Sequence, residues 1–214
     1  MFQQIINYFQ NNSGEYWGYV GQHLGISFLA LIISLIIALP LGYWGYKNKT
    51  VSTFCQTFSQ LLRIIPSLAL LFILVPLIGT GIVPALISLV VLALPPLIIN
   101  TILGFNEVPN DIKEVGLSLG MTNKQLLKQI ELPLALPYIL NGIKLALIEI
   151  LASATIATYI GAGGLGTLIF TGLGLYRMDL VLIGGVSVAL LSLIFMLLFD
   201  LLIRKVENND RHNY

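Results

Sequence analysis

Three charged residues inside otherwise apolar stretches of sequence are the first candidates that we select for chemistry. They are Arg63, Lys144 and Glu149. An ionised side chain inside a bilayer is costly, so such a residue is by default functional or paired. Lys144 and Glu149 are five positions apart and lie on different helix faces, so Glu149 needs a partner on another helix, with Arg63 as one candidate. Arg63 and Lys144 could equally extend towards the nearer membrane interface.

A run of glycines is the second candidate site. Gly161, Gly163 and Gly166 match the Gly-x-Gly-x-x-Gly spacing of dinucleotide-binding proteins, and Gly164 lies between them. That fingerprint requires a preceding strand and a following helix, whereas this run follows a long apolar stretch. We therefore expect a tight turn at the outer membrane surface, which either contributes to an outer gate or serves only as a packing turn.

The sequence predicts neither catalysis nor metal binding. It holds no Gly-x-x-x-x-Gly-Lys-Ser/Thr loop for nucleotide phosphates and no recognisable catalytic triad. Cys55 is the only cysteine, and His23 and His212 lie near opposite ends in polar surroundings, where we expect both to be solvated. We assign this chain no catalytic residue, no metal ligand and no cofactor.

The composition indicates what kind of protein positions these residues. Of the 214 residues, 57% are hydrophobic and 10% are charged, and the mean hydropathy is +0.89. Soluble domains carry roughly 25% charged residues, so the chain is predicted to be a polytopic membrane protein. The net charge of +1 provides no basic field for nucleic acid.

Five stretches are long and apolar enough to span a bilayer, whose core of about 30 Å needs about 20 helical residues. The predicted fold class is therefore all-α. Arg63 and Pro66 interrupt the second stretch, so residues 51–62 could instead form an interfacial helix that leads into a short span. The first stretch is expected to be retained, because residues 1–22 lack the basic residues of a signal peptide. The predicted spans are 24–44, 56–78, 83–103, 134–160 and 180–203.

Basic residues in the connecting segments predict the orientation, because cytoplasmic loops accumulate them. With the N-terminus outside and the C-terminus cytoplasmic, the outer segments hold only Arg177. The inner segments then hold Lys47, Lys49, Lys113, Lys124, Lys128, Arg204, Lys205 and Arg211. The predicted domains are an extracytoplasmic segment 1–23, a transmembrane domain 24–203 and a cytoplasmic tail 204–214.

The segment 105–133 is predicted to be the one long cytoplasmic loop, and it is rich in charge. Asp111 is expected to cap a short helix, and a second helical stretch is expected over 123–130. The residues expected to separate the two helices are Gly120, Met121 and Thr122. With Leu132 and Pro133 closing the loop, we expect a helix, a glycine turn and a second helix across the cytoplasmic face.

Glu114, Gly116, Gly120 and the pair Leu132-Pro133 have a spacing that resembles the cytoplasmic-loop motif of binding-protein-dependent ABC importer permeases. In that family the loop forms a coupling helix seated in a groove of the ATPase subunit. Val115 and Gly116 replace the usual small alanines, which bears on the fit of the helix rather than its role. An amphipathic surface helix with solvated charges is the alternative. The resemblance implies that the ATPase-coupling residues are Glu114, Gly116, Gly120, Met121, Thr122, Leu132 and Pro133.

Four more segments, 65–71, 76–81, 95–101 and 160–166, resemble the osmoprotectant branch of that family. That branch imports glycine betaine, choline, carnitine or similar solutes. The resemblance implies the type I importer transmembrane fold and a multi-pass position in the bacterial plasma (inner) membrane. The residues predicted to line the translocation path or to be intramembrane charges are Arg63, Pro66, Ser67, Asn100, Lys144 and Glu149.

The predicted function is that of the transmembrane permease subunit of an ATP-driven importer, with a small osmoprotectant as its solute. The resemblance implies two ABC ATPase subunits that hold ATP and Mg, a second permease subunit that is identical or paralogous, and an extracytoplasmic solute-binding protein. A permease for another small zwitterion or amino acid is one alternative. A secondary transporter would need inverted repeats and intramembrane ion-coupling residues, and a membrane scaffold would have no solute path.

Overall fold

The computed structural model describes residues 2–212, with side chains described as far as residue 208. Within these residues the chain is helical and has no β-strand. The helices are α1 (Phe2–Lys47), α2 (Lys49–Ile64), α3 (Ser67–Ile78), α4 (Ile82–Asn106), α5 (Asn110–Ser118), α6 (Asn123–Leu126), α7 (Leu132–Ala157), α8 (Gly166–Gly174) and α9 (Met178–His212). A π-helical turn, Leu127–Glu131, joins α6 to α7, and a 3₁₀ turn, Thr158–Ile160, follows α7.

Four single helical stretches are long and apolar enough to span a membrane in the described part of the chain, and α2 with α3 is a fifth if the bent pair counts as one span. This confirms the all-α fold class. Helix α1 runs from Phe2 to Lys47 and is kinked at Asn12, where φ is −127°. The predicted extracytoplasmic segment 1–23 is helical from Phe2, and its part after the kink belongs to the same helix as the first span.

The second predicted span is broken. Helices α2 and α3 meet at 90°, and Ile65 and Pro66 between them have extended backbone angles. Proline lacks an N–H donor and disfavours helical geometry in the residue before it, which ends α2 at this point. A single helix over 56–78 is therefore wrong, and the alternative of one helix leading into a short span is the arrangement observed.

Helices α4 and α7 form the centre of the bundle, and α1 packs along both of them. Glycines let the backbones approach closely. A Cβ atom added at Gly142 of α7 would lie 2.8 Å from Asn100 Cβ and 3.0 Å from the Pro96 carbonyl oxygen of α4. A Cβ atom added at Gly42 of α1 would similarly lie 2.6 Å from Thr101 Cβ of α4. Small residues at such crossings are typical of membrane helix packing.

The long connection between α4 and α7 differs from its prediction at both ends. Pro109, rather than Asp111, precedes the first turn of α5, and Asp111 lies within that turn. A proline with its fixed φ suits this place, and a carboxylate there interacts favourably with the helix dipole. Leu132 and Pro133 do not close the loop, because the π-helical turn continues directly into α7. Pro133 therefore lies inside one continuous helical stretch, Asn123–Ile160, where its missing N–H leaves a preceding carbonyl without its usual donor.

The connecting segments lie at the two ends of the bundle. Segments that were predicted to lie on the same side of the membrane contact one another at the same end. At one end, the Gly81 amide donates to the Ile160 carbonyl at 2.6 Å, and the Gly164 amide donates to Gln22 Oε1 at 3.1 Å. At the other end, Lys47 lies 3.4 Å from Glu131. The structure thus separates the predicted outer segments from the predicted inner ones.

Candidate functional site

Helix α5 presents an outward surface that combines a carboxylate with apolar side chains. Glu114 is exposed, while Val115 is 59% and Leu119 79% exposed. Gly116 lies on the opposite side and is buried. A helix that exposes apolar side chains around one carboxylate can bind a protein groove through both kinds of contact.

Gly116 and Gly120 have different structural roles in positioning this surface. A Cβ atom at Gly116 would lie 2.9 Å from Leu126 Cδ1 and 3.1 Å from Met121 Sδ, so this glycine allows α5 to pack on the following helix. Gly120 has a φ of +82°. The Met121 amide donates to the Gly116 carbonyl at 3.1 Å and the Gly120 amide to the Leu117 carbonyl at 3.0 Å. These two bonds form a Schellman motif, which ends α5 with glycine in the left-handed conformation.

Thr122 begins the next helix through a capping box. Its hydroxyl oxygen accepts from the Gln125 amide at 3.3 Å, and the Gln125 side chain accepts from the Thr122 amide at 2.9 Å. This arrangement satisfies backbone donors at the start of α6. At the end of the predicted coupling set, Leu132 is exposed and Pro133 is half-buried. The predicted coupling residues therefore lie along one continuous helix–turn–helix segment.

Glu131, which was not among the predicted coupling residues, is the most buried charged side chain of this segment. It is 2% exposed, and its Oε1 atom accepts from the Tyr46 hydroxyl at 2.7 Å and from Lys47 Nζ at 3.4 Å. Tyr46 in turn accepts from Lys113 Nζ at 3.3 Å. The sequence signal was an acidic residue directly before an apolar span, but its partners Tyr46 and Lys47 lie 85 and 84 residues away.

Lys144 lies in a cavity between α7 and α9 and forms an ion pair there. Its Nζ atom is 2.7 Å from Asp200 Oδ1. The cavity has a volume of about 700 Å³. Asp200 was missed, although its place inside the last apolar stretch could have revealed it. The residues that line the cavity are Pro137, Tyr138, Asn141, Lys144, Asp200, Ile203, Arg204 and Glu207.

Arg63 and Glu149 do not pair in the part of the chain that the structure describes, where the ion pairs are Lys47–Glu131, Lys144–Asp200 and Arg177–Asp179. Arg63 is exposed at the end of α2, and Glu149 is half-buried in α7. The suggested pairing of these two residues is therefore not observed.

The remaining predicted path residues lie at the helix break and at the centre of the bundle. Pro66 is exposed and Ser67 is half-buried, at the junction of α2 and α3. Asn100 is buried, donates to the Pro96 carbonyl at 2.8 Å and accepts from Asn141 at 3.1 Å. Asn100 thus joins α4 to α7 through a hydrogen bond between side chains.

The glycine run forms a turn packed against α1. Gly161, Gly163 and Gly164 have positive φ, and buried Gly166 begins α8. A Cβ atom at Gly164 would lie 3.1 Å from His23 Nδ1.

The surroundings of His23 differ from those that we predicted. Its side chain is fully buried, with Nε2 donating to the Leu151 carbonyl at 3.1 Å. The expectation of a solvated His23 is wrong, because the turn that covers it comes from a distant part of the chain.

The side chain of His212 lies outside the described residues. No group of three or more potential metal-binding side chains occurs among those that are described.

Comparison with known proteins assigns this architecture to a family. The profile described as "Binding-protein-dependent transport system inner membrane component" matches residues 30–208. Among curated proteins, the carnitine transport permease protein OpuCB of Listeria monocytogenes is 40% identical over 89% of this chain and 87% of that protein. The glycine betaine/carnitine/choline transport system permease protein OpuCB of Bacillus subtilis is 36% identical over 95% of this chain and 94% of that protein.

Solved structures share the fold. The inward-facing MetNI methionine ABC transporter has a chain with a TM-score of 0.77 at 24% identity, covering 89% of this chain and 95% of that one. An amino acid ABC transporter solved with histidines gives a TM-score of 0.77 at 19% identity, covering 96% of this chain and 98% of that one. At these identities the likeness concerns the fold alone.

Proposed function

We propose, from the premise that this chain belongs to the family of binding-protein-dependent transport system inner membrane components, that its solute is a small quaternary-ammonium osmoprotectant such as glycine betaine, carnitine or choline. The chain is the multi-pass permease subunit of an ABC importer in the inner membrane and is not itself an enzyme. The observation that carries the choice of solute is the 36–40% identity to the carnitine and glycine betaine/carnitine/choline permeases over most of both chains.

The importer also contains ATPase and solute-binding partners, and ATP is used by the ATPase. We propose that two permease subunits, identical or paralogous, form the path, and that two ATPase subunits with ATP and Mg drive it. The exposed surface of α5 is the proposed contact with the ATPase. Glu114 would accept charge-assisted hydrogen bonds there, while Val115 and Leu119 would become buried.

The break between α2 and α3 is the feature from which we infer where the solute path lies. Backbone at membrane depth that is not helical is tolerated only where protein covers it or where it lines a water-filled cavity. Ile65 and Pro66 are exposed at this break, and the exposed Arg63 lies just before it. We propose that this surface faces the path or the second permease subunit rather than lipid, because an arginine in contact with lipid tails is costly.

Solute recognition is proposed to lie mainly in the binding protein. Quaternary ammonium groups are commonly held by several aromatic faces, whereas the cavity between α7 and α9 has Tyr138 as its single aromatic lining residue among the described side chains. The pair Lys144–Asp200 gives this cavity charges of both signs. A lining of that kind does not supply the several aromatic faces that would hold a quaternary ammonium group tightly.

Reconstitution of the importer in proteoliposomes tests the proposed solute. The permease with its ATPase and binding protein should hydrolyse ATP faster in the presence of glycine betaine, carnitine or choline and should accumulate the same solute. Histidine and methionine serve as controls and should have no effect. Replacing the binding protein by one of different specificity should change the solute, and unchanged specificity after that exchange would place recognition in the permease. Stimulation by amino acids alone would contradict the proposal.

A further inference from the structure

The cytoplasmic end of α1 is connected to the coupling segment by a chain of polar side chains. Lys113 of α5 donates to the Tyr46 hydroxyl oxygen at 3.3 Å. Tyr46 of α1 donates to Glu131 Oε1 of the π-helical turn at 2.7 Å. The two bonds have consistent direction, because the hydroxyl accepts from an ammonium and donates to a carboxylate. Hydrogen bonds arranged in series polarise and strengthen one another.

Lys47 completes the surroundings of Tyr46 and Glu131. Its Nζ atom is 3.4 Å from Glu131 Oε1 and 4.4 Å from the centroid of the Tyr46 ring. Glu131 is almost fully buried, and a buried carboxylate without partners would be strongly destabilising. The position of Glu131 therefore depends on Tyr46 and Lys47.

The Tyr46 ring also contacts a spanning helix from the middle of the bundle. It stacks on Phe105 near the end of α4, with ring centroids 5.2 Å apart and planes 20° apart. One side chain thus contacts α5 through its hydroxyl, the π-helical turn through the same hydroxyl, and α4 through its ring. A π-helical turn is an irregular element that recurs at functional sites, and here it leads without a break into α7.

We propose that Tyr46 and Glu131 are positioning residues that transmit movement of α5 to the spanning helices α1 and α7. The inference rests on the proposed contact between α5 and the ATPase. When the ATPase displaces α5, Lys113 displaces the Tyr46 hydroxyl, and Glu131 carries that displacement into the start of α7. The chain of hydrogen bonds thus acts as a mechanical link between ATP hydrolysis and the solute path.

Tyr46→Phe tests the link because it removes the hydroxyl and keeps the ring that stacks on Phe105. In the reconstituted importer with its ATPase and binding protein, we expect solute transported per ATP hydrolysed to fall about tenfold, the loss typical of one hydrogen bond to a charged group. Tyr43→Phe is the matched control. Tyr43 lies one turn earlier on α1 and also packs on Phe105, but its hydroxyl has no hydrogen-bond partner among the described residues. This control should keep the wild-type ratio.

Glu131 and Lys113 provide independent readouts of the same link. Glu131→Gln keeps an oxygen that can accept from Tyr46, so the solute transported per ATP hydrolysed should fall less in this variant than in Glu131→Leu. Lys113→Ala and Tyr46→Phe should be non-additive when combined, because both remove the same bond.

Three outcomes would overturn the proposal. They are an unchanged ratio in Tyr46→Phe, an equal loss in Tyr43→Phe, and loss of the ATPase or of membrane abundance while transport per ATP is normal. A wild-type importer that neither takes up solute nor couples ATP hydrolysis to it would instead refute the proposed function.

Discussion

Charged side chains near the bilayer differ in their surroundings in this protein. Glu131, Lys144 and Asp179 are each paired within the chain, as expected where desolvation makes an unpaired charge costly. Glu114 and Arg63 are exposed and lie outside these ion pairs. Glu149 is half-buried and also lies outside these ion pairs. Exposed Glu114 and Arg63 are the residues we assign to partners or to the solute path, whereas Glu131 and Lys144 already have partners within the chain.

Glu114 provides the prediction at the residue scale. Glu114→Ala should lower solute uptake by about tenfold or more, because charge-assisted hydrogen bonds to the ATPase would be lost. Membrane abundance should stay unchanged, since insertion depends on the apolar spans. Glu107→Ala is the control, because Glu107 is also an exposed carboxylate of the same connection but precedes α5. The measurements are uptake, ATPase retained on purification and abundance; equal uptake in both variants would remove the assigned role of Glu114.

At the scale of the elements, glycines determine how closely the helices approach and where they end. Gly42 and Gly142 remove side chains from the crossings of α4 with α1 and α7. Gly120 has a different role, since no atom of the described residues lies within 4 Å of a Cβ added there. Its requirement is conformational, because the Schellman motif needs a residue with positive φ.

Gly120 therefore gives the prediction for the element α5. Gly120→Val should destabilise the turn by about 1–2 kcal/mol, because a branched side chain is disfavoured in the left-handed region. Gly120→Asn, its matched control, should be nearly neutral because asparagine adopts that region readily. Uptake and retention of the ATPase should follow the same order. Equal loss in both variants would mean that the space beside Gly120 is needed by a partner, and normal uptake in both would mean that the turn is not required.

At the scale of the whole molecule, the bundle separates two sets of connecting segments. The end that holds Gly81, Ile160 and Gly164 is the predicted outer end, and the end that holds Lys47 and Glu131 is the predicted inner end. This separation agrees with the relative sidedness derived from basic residues. The absolute orientation, with the N-terminus outside and the C-terminus cytoplasmic, remains a prediction.

Reporter fusions test that orientation. A reporter fused after Tyr214 should be active in the cytoplasm, and one inserted in the turn at residues 79–81 should be active outside, because basic residues are retained on the cytoplasmic side. A reporter in the exposed part of α5 near Glu114 serves as an internal control and should report the cytoplasm. The reverse pattern would place α5 where no ATPase could contact it and would refute the coupling proposal.

The sequence by itself determined the class of the protein, the apolar spans and the family. These follow from local or additive properties: hydropathy summed over about 20 residues, basic residues counted by segment, and a motif of fixed spacing around Glu114 and Gly120. The break at Pro66 was also visible as an alternative, because proline acts on its immediate neighbours. The glycine turn at 120 was predicted for the same local reason.

Only the tertiary structure decided which distant residues meet. Asp200 became the partner of Lys144, Arg63 and Glu149 did not form an ion pair, and His23 was buried by a glycine turn from a distant part of the chain. Glu131 acquired Tyr46 from 85 positions away. Such pairings depend on the rotation and register of packed helices, which are set by contacts along their whole length. No local stretch of sequence contains that information, and this is why the proposed link between α5 and the spans could be found only in the folded chain.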